Sequence, residues 1–357
     1  MFKFPKILMG ILSINGSLFF SQQWQDVGST TISPAASSFN NLAIDSQGNY
    51  YVSYYDLSVS KGSVQKFSGN SWSLLGGNLG ITVGSATYSS FSLDNSGNIY
   101  YTNQWAYPNS GMEVRKFSGS IWTQLPNAFS ATTNYQASAV APDNTLFVYG
   151  SVNSGTVQRF VNGIWEQVGM SGIAGSTPIN AEMVIGSNGK VYVCHNASGV
   201  KVYENSLTAS PTDAWTLTGG ASVGTAFTEG ANATSDIAIG KDNSLYVIYS
   251  STAANNRKLN VKKFDGTNCV QIGNADFGIS NNLYNVSIAI TPAGKLYVAA
   301  SGWAINGGKN TVYTFDSAAN TWTPFGGDFV SDSTALYNDL HYDALRNKLV
   351  LPILKMV

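Results

Sequence analysis

Short runs in which apolar and polar residues alternate recur along the whole chain, and helical spacing hardly occurs. A period of two is that of a half-buried β-strand. Four such runs make one set. The first set reads LAID from Leu42, NYYVSYY from Asn49, SVQKF from Ser63 and SWSLL from Ser71, and the second reads FSLD from Phe91, NIYYT from Asn98, EVRKF from Glu113 and IWTQL from Ile121. Later sets contain LFVYG with TVQRF, VYVCH with VKVYE, LYVIY with NVKKF, and LYVAA with TVYTF. Turn formers stand between the runs, such as DSQGN, DNSGN and GSNGK after the first and SGNS, NGI and DGTN after the third. Gly and Asn there supply the positive φ that tight hairpins demand. Only DALRNK from Asp343 could make even one helical turn.

The sets follow a clock of tryptophans at positions 24, 72, 122, 165, 215 and 322, with Cys269 where one is missing, spaced by 48, 50, 43, 50, 54 and 53 residues. A fixed period near fifty residues means one supersecondary unit per repeat. Four antiparallel strands cannot bury both faces alone, and stacking such sheets around an axis solves the problem, which is a β-propeller. An all-β, single-domain propeller of four-stranded antiparallel blades is therefore expected over residues 22–357. The second-strand residue recurs at Tyr51, Tyr100, Phe147, Tyr192, Tyr246, Tyr297 and Val350, seven copies that predict seven blades, with six as the alternative. One fourth-strand motif, Trp24 to Gly28, precedes the first full repeat, while the last repeat lacks one. That offset predicts a ring closed by the segment 24–28, which removes two exposed sheet edges.

The pattern of an apolar strand ending near Asp-x-x-Gly-Asn, then (I/L/V)-Y-V, then V-x-K-F-x-G-x-x-W-x-x-(L/V)-G resembles propellers of the kelch and NHL class, and looks most like secreted bacterial propellers built from such repeats. The resemblance runs from Trp24 to about Pro352 and carries fold, not activity. The place of the kelch double glycine reads SYYD, NQWA and GSVN in the first three repeats. Among propellers of this general kind, lactonase-like and lyase-like members imply a metal or catalytic His at the central channel.

Residues 1–21 combine Lys3 and Lys6, an apolar run from Ile7 to Phe20 and the small Ser21, the pattern of a signal peptide. A secreted or periplasmic protein is expected, with no membrane contact after cleavage. Lys+Arg number 19 against 20 Asp+Glu, a net charge of −1, so no basic field exists to hold nucleic acid. Cys194 and Cys269 occupy repeat positions where no other repeat has cysteine, which favours filling of small apolar slots over a disulfide.

No nucleophile elbow, zinc-binding helix motif, P-loop or calcium loop is present, so no catalytic residue, metal or cofactor is assigned. Asp45 and Asp94 fit as side-chain caps of Asp-x-x-Gly turns. The remaining signal is aromatic. Trp105 and Tyr107 in NQWAYPNSG, Trp303 in SGWAINGG, and Tyr54 with Tyr55 all sit at or after second strands, whose following loops emerge on one face of a propeller. Exposed rings flanked by Asn, Ser and Gly suit sugar rings or peptide, with Asn103 and His195 as polar additions. The leading expectation is a monomeric, non-catalytic module that binds carbohydrate or an extracellular protein through that face. The alternative is a lactonase-like or lyase-like enzyme with a metal or His site at the channel.

Overall fold

The protein is described by a computed structural model over residues 24–28, 32–105, 111–197, 199–219, 234–251, 257–278, 283–302, 308–331 and 335–355. The expected signal peptide at residues 1–21 lies outside the described residues. The first blade comprises Ser37–Ile44, Tyr50–Asp56, Lys61–Ser68 and Ser71–Leu74 (β1–β4), the second Ser90–Leu93, Ile99–Trp105, Gly111–Ser118 and Ile121–Gln124 (β5–β8). The third comprises Gln136–Val140, Leu146–Gly150, Thr156–Val161 and Ile164–Val168 (β9–β12), the fourth Ile179–Ile185, Lys190–Asn196, Val200–Ser206 and Thr216–Leu217 (β13–β16). The fifth comprises Ser235–Ile239, Leu245–Ser250, Leu259–Phe264 and Cys269–Gln271 (β17–β20), the sixth Leu283–Ile290, Leu296–Gly302, Asn310–Asp316 and Thr321–Pro324 (β21–β24). Each is a meander in chain order.

The ring therefore has six four-stranded blades, and the expectation of seven is corrected. The seventh copy of the repeat pattern ends in two separate two-stranded pairs: Ala335–Leu336 with Leu354–Lys355 (β25, β28), and His341–Asp343 with Lys348–Val350 (β26, β27). Val350, counted as a second-strand residue, pairs with His341 in the latter hairpin. Among the described residues the strand that follows, Leu354–Lys355, pairs with Ala335–Leu336 and does not widen that hairpin. The first strands of successive blades touch in order around the ring, and β26 touches both β21 and β1. A hairpin thus fills the gap between the sixth blade and the first.

Neighbouring blades share no backbone ladder, so side chains must join them. The repeated Trp does this. Trp72 Nε1 donates to Val27 O at 2.6 Å, Trp122 Nε1 to Leu75 O at 2.9 Å, Trp165 Nε1 to Pro126 O at 2.7 Å and Trp322 Nε1 to Ile272 O at 2.8 Å. Each acceptor belongs to the preceding Trp segment. The glycine closing that segment is required by the same joint: a Cβ on Gly76, at φ +86°, would lie 2.7 Å from Trp122, and one on Gly273, at φ +71°, would lie 2.7 Å from Trp322. On its own blade each Trp stands opposite a third-strand Phe, with ring centroids 5.1 Å apart for Phe67 and Trp72 and 5.2 Å for Phe117 and Trp122. Trp215 has the same place, but its buried Nε1 finds no partner.

Asp45 caps its turn, accepting from Gln47 N at 2.9 Å and Asn49 N at 2.8 Å. Asp94 repeats this with Ser96 N and Asn98 N. No disulfide joins the two cysteines.

Residues 24–28 form no strand. Trp24 Nε1 donates to Phe325 O of the sixth blade at 3.4 Å with its ring edge-on to Phe325, while Val27 O receives Trp72 of the first. If this segment holds the ring shut, deleting residues 24–28 lowers the melting temperature and promotes association through exposed edges; an unchanged melting curve rules that role out. Trp122→Phe keeps the ring but loses the N–H, and about 1 kcal/mol of stability should go with it in urea unfolding.

Candidate functional site

The turn after each first strand fixes the repeat position of every residue in it, because Asp45, Asp94, Ala141, Gly186, Gly240 and Thr291 close equivalent backbone turns. Counting back six from those residues places Phe39, Tyr88, Tyr135, Asn180, Thr234 and Asn285 at one level of the ring, and the same count from Asp343, which caps the turn of the closing hairpin, adds Tyr337. Two residues further along stand Asn41, Ser90, Ala137, Glu182, Asp236, Ser287 and Asp339. First strands are innermost, so these levels face the axis. They bound a central cavity of about 710 Å³, open at the end where the first strands begin.

The upper level is strained. Phe39, Tyr88, Asn180 and Tyr337 have φ of 53°, 51°, 51° and 56°. A left-handed backbone is costly for a bulky side chain and persists only where the surroundings impose it, often at functional sites. The register slips beside it, between Ser38 and Asn41 and between Ile179 and Glu182, as a bulge requires. The outcome is a row of rings along one arc of the mouth: Phe39 lies 4.8 Å from Tyr337 and 5.2 Å from Tyr88, and Tyr88 lies 5.0 Å from Tyr135. Tyr88 is 36% exposed.

The lower level both seals the ring and charges it. Inner strands have a free edge, and a side chain from one unit often accepts the spare N–H of the next. Ser90 Oγ accepts from Ser138 N at 2.9 Å, Asp236 Oδ2 from Ile288 N at 2.8 Å, Ser287 Oγ from Leu340 N at 2.9 Å and Asp339 Oδ2 from Leu42 N at 2.6 Å. Glu182 breaks the series. Asp236 Oδ1 takes the N–H of its own neighbour Ile237 at 2.7 Å, and the Glu182 carboxylate has no hydrogen bond among the described residues. Its side chain is open to water in the cavity while lying far from bulk solvent. Confinement and the nearby Asp236 and Asp339 carboxylates raise its pKa above the usual range. Burial likewise pushes Asp236 up to about 6, with Asp339 adding to the rise and the Ile288 and Ile237 amides opposing it.

His341 points to the same space, its Nε2 3.0 Å from Asp339 Oδ1. Burial disfavours its charge, but Asp339 and Asp236 outweigh that and raise its pKa. No Lys or Arg among the described residues lines the cavity. Among the described residues no three His, Cys, Asp or Glu side chains converge as a metal site would need.

Of the aromatic and polar residues singled out in the sequence, the described ones do not line the cavity. Tyr54 is buried in the first blade and Tyr55 half-buried beside it. Asn103 is buried and donates to Glu113 Oε2, a carboxylate already engaged by Val83 N and Arg115. His195 is buried in β14 between the rings of Tyr149 and Tyr203, with Tyr149 Oη 3.3 Å from its Nδ1. Trp105 is half-buried at the end of β6. That end reaches the rim: Gln104 bonds Thr87 and Asn134 side chains, next to Tyr88 and Tyr135. Tyr107 and Trp303 lie outside the described residues.

Burial and the Lys201 charge depress the His195 pKa to about 4. The unfolded chain then binds a proton that the folded one refuses between about pH 6.5 and 4, so stability falls on acidification through that window. Asp236 and Glu182, with raised values, act with the opposite sign, so a variant comparison is needed. Between about pH 7 and 5, urea unfolding should show wild type losing about 2 kcal/mol more than His195→Phe. Equal losses would remove His195 as the source.

Solved structures similar to this chain share its architecture at low identity. An ulvan lyase of polysaccharide lyase family PL25, bound to -[GlcA(1-4)Rha3S]-, matches with a TM-score of 0.54 and 11% identity over 87% of this chain and 88% of its own. A GH74 xyloglucanase from Xanthomonas campestris matches at 0.54 and 14% over 85% of this chain, which spans 46% of the enzyme. The SapL1 lectin in complex with α-methyl fucoside matches at 0.52 and 13%, over 81% of this chain and 96% of the lectin. No protein-family model matches the chain, and neither does any curated protein sequence. At such identities the likeness establishes the fold alone: a β-propeller of repeated blades.

Proposed function

We propose that this protein binds carbohydrate in the mouth of the central cavity. One observation carries the reading: the row Tyr337, Phe39, Tyr88, Tyr135 faces an arc of carboxylates and amides across a space of about 710 Å³. Sugars present an apolar C–H face and a rim of hydroxyls, so flat rings beside hydrogen-bonding side chains suit them. Support comes from the propeller neighbours, whose descriptions name a fucoside complex, a bound sulfated disaccharide repeat and a xyloglucanase. Trp105, at the end of a strand that reaches the rim, extends the same surface outward. The amino-terminal pattern supports export, where polysaccharides are met.

A second reading has its own observation. His341 and Asp339, paired at 3.0 Å inside the cavity, make a proton-transfer couple of the kind a lyase or hydrolase uses. Release of new reducing ends or unsaturated products from a polysaccharide panel, lost in His341→Ala, would select it over binding alone.

The binding reading is tested by a glycan array followed by calorimetry on the hits. A stacked ring contributes about 0.5 to 1.5 kcal/mol beyond its area. Tyr88→Ala with Tyr337→Ala should therefore weaken binding about tenfold or more, with the melting temperature nearly unmoved. An array without any hit, or hits untouched by the double variant but abolished by Trp105→Ala, would take the site away from the cavity.

A further inference from the structure

The unsatisfied atoms of the cavity are unevenly divided between donors and acceptors. Asn40 Oδ1, Gln136 Oε1 and Nε2, and Asn338 Oδ1 have no hydrogen-bond partner, although these residues are only 9%, 6% and 7% exposed, and all three border the cavity. Glu182 adds two carboxylate oxygens without a partner among the described residues. Three amide oxygens and a free carboxylate thus wait for donors, against one amide nitrogen that waits for an acceptor. Buried polar atoms left unpaired are costly, and several of them around one cavity favour a ligand whose donors pair with them as the lining adjusts.

Hydroxyls supply one donor each. A protonated amine supplies three donors and a positive charge. Charge favours the amine independently, since among the described residues Glu182, Asp236 and Asp339 line the cavity with no Lys or Arg, and His341 alone could oppose them. The aromatic row adds a third preference, because ring faces attract cations within about 6 Å.

We infer that the cavity selects a saccharide bearing a free, protonated amine, with Glu182 as the group that receives it, and disfavours uronic or sulfated sugars. This rests on the carbohydrate reading of the same cavity. The titratable side chains facing such an amine are Glu182, Asp236, Asp339, His341 and the tyrosines at 88, 135 and 337.

The test is calorimetry on the full chain with a glucosamine oligomer carrying free amines, its N-acetylated counterpart, a neutral glucose oligomer and a glucuronate oligomer, all of one length. The free-amine oligomer should bind on the order of tenfold tighter than the N-acetylated form, the scale of about 1.4 kcal/mol, and glucuronate weakest. Glu182→Gln should erase that difference. A trimethylated oligomer of fixed charge keeps ligand titration out of the profile, and its affinity should rise with pH through about 6, where Asp236 loses its proton, and further above the ordinary imidazole range as His341 loses its charge. Equal binding of the N-acetylated, neutral and free-amine oligomers overturns the inference and leaves the carbohydrate reading standing. Binding of none overturns both. A preference that survives Glu182→Gln removes Glu182 as the receiving group, a result read from the ligand comparison even if the variant is less stable.

Discussion

Everything in this molecule depends on joining sheets that share no backbone hydrogen bonds. Within a blade the ladder is continuous, but no ladder runs between blades, and two side-chain devices do most of the joining. At the outside, an indole N–H reaches the carbonyl of the preceding Trp segment and its ring lies on a glycine that no other residue could replace. At the axis, a Ser or Asp accepts the spare N–H of the next first strand. Each contact is worth about a kilocalorie, and the ring holds because the contacts repeat.

The two devices have different freedom to vary. Most outer joints use the same Trp and the same Gly, so those residues recur along the chain, with Cys269 and the Gly-free segment 122–126 as exceptions. The inner joint needs only an oxygen, which leaves the axial position free to be Ser, Asn, Asp or Glu. Chemistry can collect there without loosening the ring. Glu182 marks the limit of that freedom: with Asp236 occupying the amide it could have bonded, its carboxylate is left to the cavity.

This division explains what the sequence disclosed. Trp spacing and strand periodicity announced a propeller because they report the uniform part. Blade number was misread because the second-strand motif at Val350 looks like its six predecessors, whereas a blade is counted by outer strands, and those are missing after β27. The axial residues were overlooked because they change at every repeat and so read as noise. Aligning the first strands on Leu42, Met183, Ile237 and Leu340 would have shown Asn41, Glu182, Asp236 and Asp339 in register. Loop aromatics drew attention to the right end of the ring but the wrong strand: second strands end where first strands begin, and the rings at the mouth sit at or just before the start of the first strands. His195 lay in a middle strand buried on both faces, where alternation says nothing about direction.

The hairpin β26–β27 gives the cavity a timetable. Asp339 and His341 stand just before or within a strand near residue 340, yet the amide that Asp339 caps is that of Leu42, almost three hundred residues earlier. A chain emerging vectorially can complete blade after blade by local contacts, but the wall of its pocket stays open until this hairpin arrives. Ligand recognition is then a report on the last step of assembly: partly synthesised or clipped chains, however well folded in their early blades, would present a pocket lacking Tyr337, Asp339 and His341.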